Sequence, residues 1–110
     1  MKAGICTQNI QELKSFATPP QEVVSVISAA YILLVQDKVP TWAECKKMLL
    51  NTNQLLRMLK KYYTSKVTPS MKDKVRVYVE EPYFNKAFVM KVSSSCAPLC
   101  EWVLEVYYAC

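Results

Sequence analysis

The stretch SFATPPQEVVSVISAAYILL, residues 15–34, sets two prolines back to back where an apolar helical stripe begins. Pro19 and Pro20 must interrupt any helix that arrives from the N-terminal side, because proline has no amide hydrogen to donate and its ring clashes with the turn before it. Beyond them Val23, Val26, Ile27, Ala30 and Leu34 recur at i, i+3, i+4, i+7 and i+11, the period of an amphipathic helix. Thr18 is expected to cap this helix, with Pro19 in its first position and Gln21 completing a capping box. A chain that stops one helix and at once starts another is turning a corner at a defined place.

Outward from that corner the punctuation stays helical. Upstream, Ile10, Leu13 and Phe16 have helical spacing but are too few to bury anything alone. Downstream, Thr41 and Glu44 form a second capping box, opening a short helix with Trp42, Cys45, Met48 and Leu49 inward. Asn51 and Thr52 break the chain again, and the next helix is expected to hold Leu55, Leu56, Leu59, Tyr62 and Tyr63 on one face. Thr68-Pro69 has the form of a cap followed by a first-turn proline, with Met71, Val75, Tyr78 and Val79 in register behind it. The run KVRVYVEE also alternates like a strand, so local pattern does not decide this piece. Packing around a helical core favours a helix over residues 69–80. Pro82 ends the element, Asn85 caps a short helix through Val92, and Pro98 fits only in the first turn of the last helix. There Leu99, Trp102, Val103, Val106 and Cys110 carry an apolar seam to the end of the sequence. The fold class is all-α, a bundle of about six short helices, with both tryptophans in its core.

Composition limits what such a bundle does. The chain has 110 residues, enough for one domain with a modest core, and is 52% hydrophobic with a single glycine, Gly4. One glycine cannot build a phosphate-cradling loop, so P-loop and Rossmann nucleotide binding are excluded. Histidine is absent, which removes the commonest general base and a common metal ligand. No constellation of carboxylates or thiols takes over that role, so the domain is read as a binding module with no cofactor. Cys96 and Cys100 share a helical face, but tetrahedral zinc needs four ligands and no C-x-x-C pair exists. An odd count of five cysteines argues against a secreted disulfide framework, leaving Cys6, Cys45, Cys96, Cys100 and Cys110 as reduced core residues. The apolar run at residues 29–35 is far short of the roughly 20 residues of a membrane span, and MKAGIC lacks a signal core. A soluble intracellular domain without a membrane partner is expected.

Charge is unevenly spread. Between residues 46 and 76 nine basic residues (Lys46, Lys47, Arg57, Lys60, Lys61, Lys66, Lys72, Lys74, Arg76) face Asp73 alone, a local net charge of +8 within a chain of net +5. Such a field recruits polyanions or acidic protein surfaces. Nucleic acid is disfavoured, since no recognition-helix signature or RNA-binding motif is present. From charge alone the reading is a basic helical adaptor for an acidic protein partner or nucleic acid.

IQELKSFATPPQEVVSVISAAYILL, TWAECKKMLL and EEPYFNKAFVMKVSSSCAPLCEWVLEVYYAC, in that order, resemble the microtubule-binding domain at the tip of the dynein heavy-chain stalk. The double proline, the tryptophan opening the second short helix and the pattern S-x-x-C-x-P-L-x-x-W-V carry the resemblance, which runs from about Ile10 to Cys110. It implies a bundle capping an antiparallel coiled coil. Residues 1–18 would be the end of the outgoing strand, 19–98 the globular domain, and 99–110 the helix leading into the returning strand. It further implies docking on α/β-tubulin at an intradimer groove through the first helix, the helix after Pro69 and the last part of the domain. Sliding of the two strands would switch affinity, and ATP hydrolysis would belong to the distant motor ring. Carried over residue by residue, the microtubule-binding positions are Glu22, Val24, Lys72, Lys74, Arg76 and Lys91. Val24 and Glu101 stand where cytoplasmic members carry lysine, which implies a divergent or axonemal heavy chain. The partners implied are the microtubule and the remainder of a heavy chain. The implied location is the cytoplasm and cytoskeleton, or the axoneme of a cilium.

Overall fold

The central helix of the computed structural model is the one that follows the double proline. The model describes residues 5–109. Helix α1 spans Thr7–Lys14, α2 Gln21–Leu34, α3 Trp42–Leu50, α4 Thr52–Lys60, α5 Pro69–Val79, α6 Lys86–Val92 and α7 Ala97–Ala109, with a 3-10 turn at Thr64–Lys66. There is no strand among the described residues, and the alternating run after Pro69 is helical. No described helix is long and apolar enough to cross a membrane.

Helix α2 is buried on nearly every side, from Val23 to Leu33, as expected of a helix apolar all round. It packs against α3, α5, α6 and α7, while α1 lies on α3 and α4. Ile10 and Leu13 of α1 are fully buried, so two apolar residues suffice once other helices supply the rest of the core. The seam of α7 points inward at Leu99, Trp102, Val103 and Val106, and Pro98 sits in its first turn. Cys110 lies outside the described residues. Trp102 is buried and Trp42 is partly buried against the core.

Most helix starts form as their cap residues dictate. The Thr41 hydroxyl accepts from the Glu44 amide at 3.2 Å while the Glu44 carboxylate accepts from the Thr41 amide at 3.0 Å. The Thr68 hydroxyl accepts from the Met71 amide at 3.1 Å with Pro69 in the first position. Asn51 and Asn85 cap α4 and α6 through side-chain bonds to Gln54 and Phe88.

The expected Thr18 box does not form. Pro20 is the N-cap of α2, with φ −60° and ψ 155°, and makes no side-chain cap bond. The reason is local: a residue that precedes proline is pushed out of the helical region, so Pro19 cannot be the first helical residue. Gln21 donates instead to the Ser25 hydroxyl at 3.2 Å. Tyr63 is 67% exposed and is not on the buried face of α4. The helix ends at Lys60, and the extended backbone of Tyr63 (φ −115°, ψ 133°) carries its side chain off the helical path. Among the cysteines, Cys45, Cys96 and Cys100 are core residues, but Cys6 is exposed at the start of α1. Burial pushes the thiol of Cys45 up to about 11 and that of Cys100 up to about 12, and raises Cys96 as well. These thiols stay protonated and chemically quiet.

Candidate functional site

The basic block divides into two parts when its residues are placed. Lys47, Arg57, Lys60, Lys61 and Lys66 are exposed along α3, α4 and the 3-10 turn. Lys72, Lys74 and Arg76 belong to α5, whose amphipathic packing is set by Val75 and Val79 turned into the core.

On α5 the three cations do not act together. Residues four apart share a helix face, whereas residues two apart point in nearly opposite directions. Lys72 and Arg76 therefore face α7, where both reach Tyr107. The Lys72 ammonium lies 5.2 Å from the centre of the Tyr107 ring, and Arg76 Nε donates to the Tyr107 hydroxyl at 3.3 Å. Arg76 Nη2 also pairs with Asp73 at 3.0 Å. The bond to Tyr107, ahead of the charge of Asp73, raises Arg76 further above its ordinary range. Lys74 turns the other way and is held by Asp37 at 2.9 Å and by the Ser70 hydroxyl at 2.8 Å. The Lys74 contact, followed by Ser70, keeps the Asp37 carboxyl below the usual carboxylate range. Exposed Val39 and Val77 flank that pair in a shallow depression.

The other assigned positions lie on neighbouring elements. Glu22 and Val24 are half-buried in the first turns of α2. That end of α2 is fixed to the turn ahead of α6 by the Ser25 and Tyr83 hydroxyls, 2.7 Å apart, and Tyr83 in turn contacts Phe88 of α6 at 6.4 Å between ring centres. Lys91, three residues beyond Phe88, is exposed near the end of α6. Glu101 of α7 pairs with Lys86 of α6 at 2.9 Å, so its carboxylate neutralises a surface cation at a place where a lysine would repel one. Of the elements carrying these positions, α5 with Lys72 and Arg76 and α6 with Lys91 both pack on α2, which carries Glu22 and Val24. Lys74 alone has its charge committed to a different side of α5.

Sequence reasoning did not single out Tyr107. Its signal was present: it follows the seam residue Val106, at the edge where an amphipathic aromatic side chain presents its ring to one neighbour and its hydroxyl to another. No group of three or more metal-ligating side chains occurs among the described residues.

Comparison with known proteins now gives this arrangement a setting. The family described as "Microtubule-binding stalk of dynein motor" matches residues 3–109. Over 95 residues the chain is 35% identical to human dynein axonemal heavy chain 6, covering 86% of this chain. It is 31% identical over 103 residues to the dynein beta chain of the flagellar outer arm of Chlamydomonas reinhardtii, covering 90% of this chain. The chain spans about 2% of the length of these heavy chains. Among solved structures, the microtubule-binding domain of dynein-c superposes with a TM-score of 0.74 at 28% identity, over 92% of this chain and 74% of that one.

Proposed function

The chain belongs to the family of microtubule-binding stalk domains of dynein motors, and from that premise we propose that it docks on α/β-tubulin through α2, α5 and the segment around Lys91. The observation that supports this reading best is the pairing of Lys72 and Arg76 on one side of α5, next to the helix that ends the domain. Glu22, Val24 and Lys91 complete the contact surface from neighbouring elements. Lys74 contributes at its margin, after giving up Asp37. Residues 1–18 end an outgoing coiled-coil strand, 19–98 form the globular tip, and 99–110 lead into the returning strand. A side-chain bond supports that layout, because the Ser95 hydroxyl, just ahead of α7, donates to the Glu12 carboxylate of α1. The parent heavy chain supplies ATP hydrolysis, and sliding of its two strands sets the affinity of the tip. The axonemal relatives favour a ciliary or flagellar parent.

Charge reversal tests the docking surface. Lys72→Glu, Arg76→Glu and Lys91→Glu should each weaken co-sedimentation with microtubules more than Lys38→Glu or Lys86→Glu. The last two lysines hold intramolecular partners, Glu44 and Glu101, and exposed pairs of that kind contribute little to stability. Equal losses at all five positions would mean unspecific attraction and would favour a basic adaptor instead.

A further inference from the structure

Two of the three α5 cations assigned to tubulin, Lys72 and Arg76, are held by one side chain of a different helix. Tyr107 offers its ring face to the Lys72 ammonium and its hydroxyl oxygen to Arg76 Nε. Tyr107 is half-buried, braced edge-on by the Tyr108 ring at 5.1 Å, so its placement follows α7. Helix α5 is seated chiefly on α2 and only lightly on α7, whereas α7 packs mainly on α2 and α6. A shift of α7 along its axis therefore moves Tyr107 past α5 without requiring α5 to leave its seat.

Geometry makes these contacts sensitive to such a shift. A hydrogen bond at 3.3 Å is already at the long end of the useful range. A cation–π contact is lost beyond about 6 Å from the ring centre. One helical turn is about 5.4 Å. A slide of one turn removes both contacts, and a slide of a single residue removes the hydrogen bond.

We propose that Tyr107 is a positioning residue that couples α7 to the cations of α5: in the arrangement seen here it draws Lys72 and Arg76 toward α7, and movement of α7 releases them to an acidic partner. This inference rests on the reading of α5 as a microtubule-facing element. The phenol is neutral, so the coupling changes where the two charges point and how freely they reach outward. It does not change their number.

The test uses the 110-residue chain fused at both ends to a rigid antiparallel coiled coil in several fixed registers. Microtubule affinity is measured by co-sedimentation at constant salt, beside a thermal melt of each protein. With Tyr107 present, affinity should differ between registers. Tyr107→Leu should tighten the weak register by about five- to seventyfold, the joint size of one exposed cation–π contact and one hydrogen bond, and leave the tight register unchanged. Tyr107→Phe keeps the ring under Lys72 and loses the acceptor for Arg76, so it should fall between. On a Lys72→Gln, Arg76→Gln background the effect of Tyr107→Leu should vanish, which a purely structural role would not produce. If Tyr107→Leu lowers the melt, Tyr107→Phe decides, since it preserves the packing. An unchanged ratio between registers in both variants overturns the coupling while leaving the docking surface intact. If the unmutated fusions bind no microtubules, or bind alike in every register, the functional reading itself fails and the coupling falls with it.

Discussion

Trp102 shows how much one side chain holds in a domain of this size. Its ring is buried to 1% exposure and meets Tyr62 edge-on, with centres 5.3 Å apart and planes at 71°. Its indole N–H has no hydrogen-bond partner among the described residues, which subtracts from what the ring contributes. Trp102→Ala should therefore cost about 3–5 kcal/mol, the range for emptying a large aromatic site. Trp102→Phe should cost much less, because it keeps most of the ring volume and removes the unpartnered donor. Urea unfolding measures both. A loss within the roughly 0.5 kcal/mol typical of surface positions for Trp102→Ala would put this residue outside the core. The burial of Trp102 was legible from the apolar spacing of the last helix. The roles of Tyr107 and Glu101 were not, because each depends on a partner, Arg76 or Lys86, that sequence separates by 31 and 15 residues and only the fold brings near.

Among the elements, starts were far easier to read than faces. Thr41 with Glu44, Thr68 with Pro69, and Asn85 each combine a side-chain acceptor with a free amide three residues on, a local arrangement that needs no tertiary information. Thr18 looked the same on paper. The second proline defeats it by holding Pro19 out of the helical region, a constraint that operates before any cap bond is considered. The two cases give opposite expectations. Thr68→Ala should destabilise the domain by about 1 kcal/mol through the lost cap of α5. Thr18→Ala should stay within about 0.5 kcal/mol, as for an ordinary surface change. Thermal melts of the two variants decide it, and a matching loss at Thr18 would mean that its hydroxyl does hold the start of α2. Tyr63 was misplaced for a related reason: periodicity continues past Lys60 on paper, but the helix does not. The strand-like run of α5 went the other way, since seating Val75 and Val79 on α2 outweighs a weak local preference.

At the scale of the whole molecule, charge and register combine. A net charge of +5, concentrated in residues 46–76, attracts an acidic lattice at a distance. Added salt shortens that reach to about 8 Å near physiological ionic strength. Affinity of the 110-residue chain for microtubules should accordingly fall as salt rises from low to physiological. Under the proposed register switch it should also lie below that of the best fixed-register fusion, because an unbiased two-state element spends only part of its time in the competent state. Val24→Lys, at a half-buried position in the first turns of α2, should recover affinity in both proteins. Binding constants over a salt series test all three statements, and a chain alone that matches the best fusion would make the tip a static anchor. The all-helical class and the single core were readable from one glycine and the helical stripes. That α2 would be wrapped on nearly all sides was foreshadowed by its composition, whereas the seating of α1 on α3 and α4 was not, because α1 offers only two fully buried residues to be read.

The break at Pro19 and Pro20 has a mechanical consequence. Helix α1 ends at Lys14, and α2 begins only at Gln21, so no ladder of backbone hydrogen bonds runs from one into the other. Tension applied to α1 is therefore not delivered along the axis of the central helix. It enters through the flank, as shear on Ile10 and Leu13 against α3 and α4, and through the Glu12 bond to Ser95 at the threshold of α7. The central helix meets such a load only sideways, through its packing on α3 and α7, and not end-on.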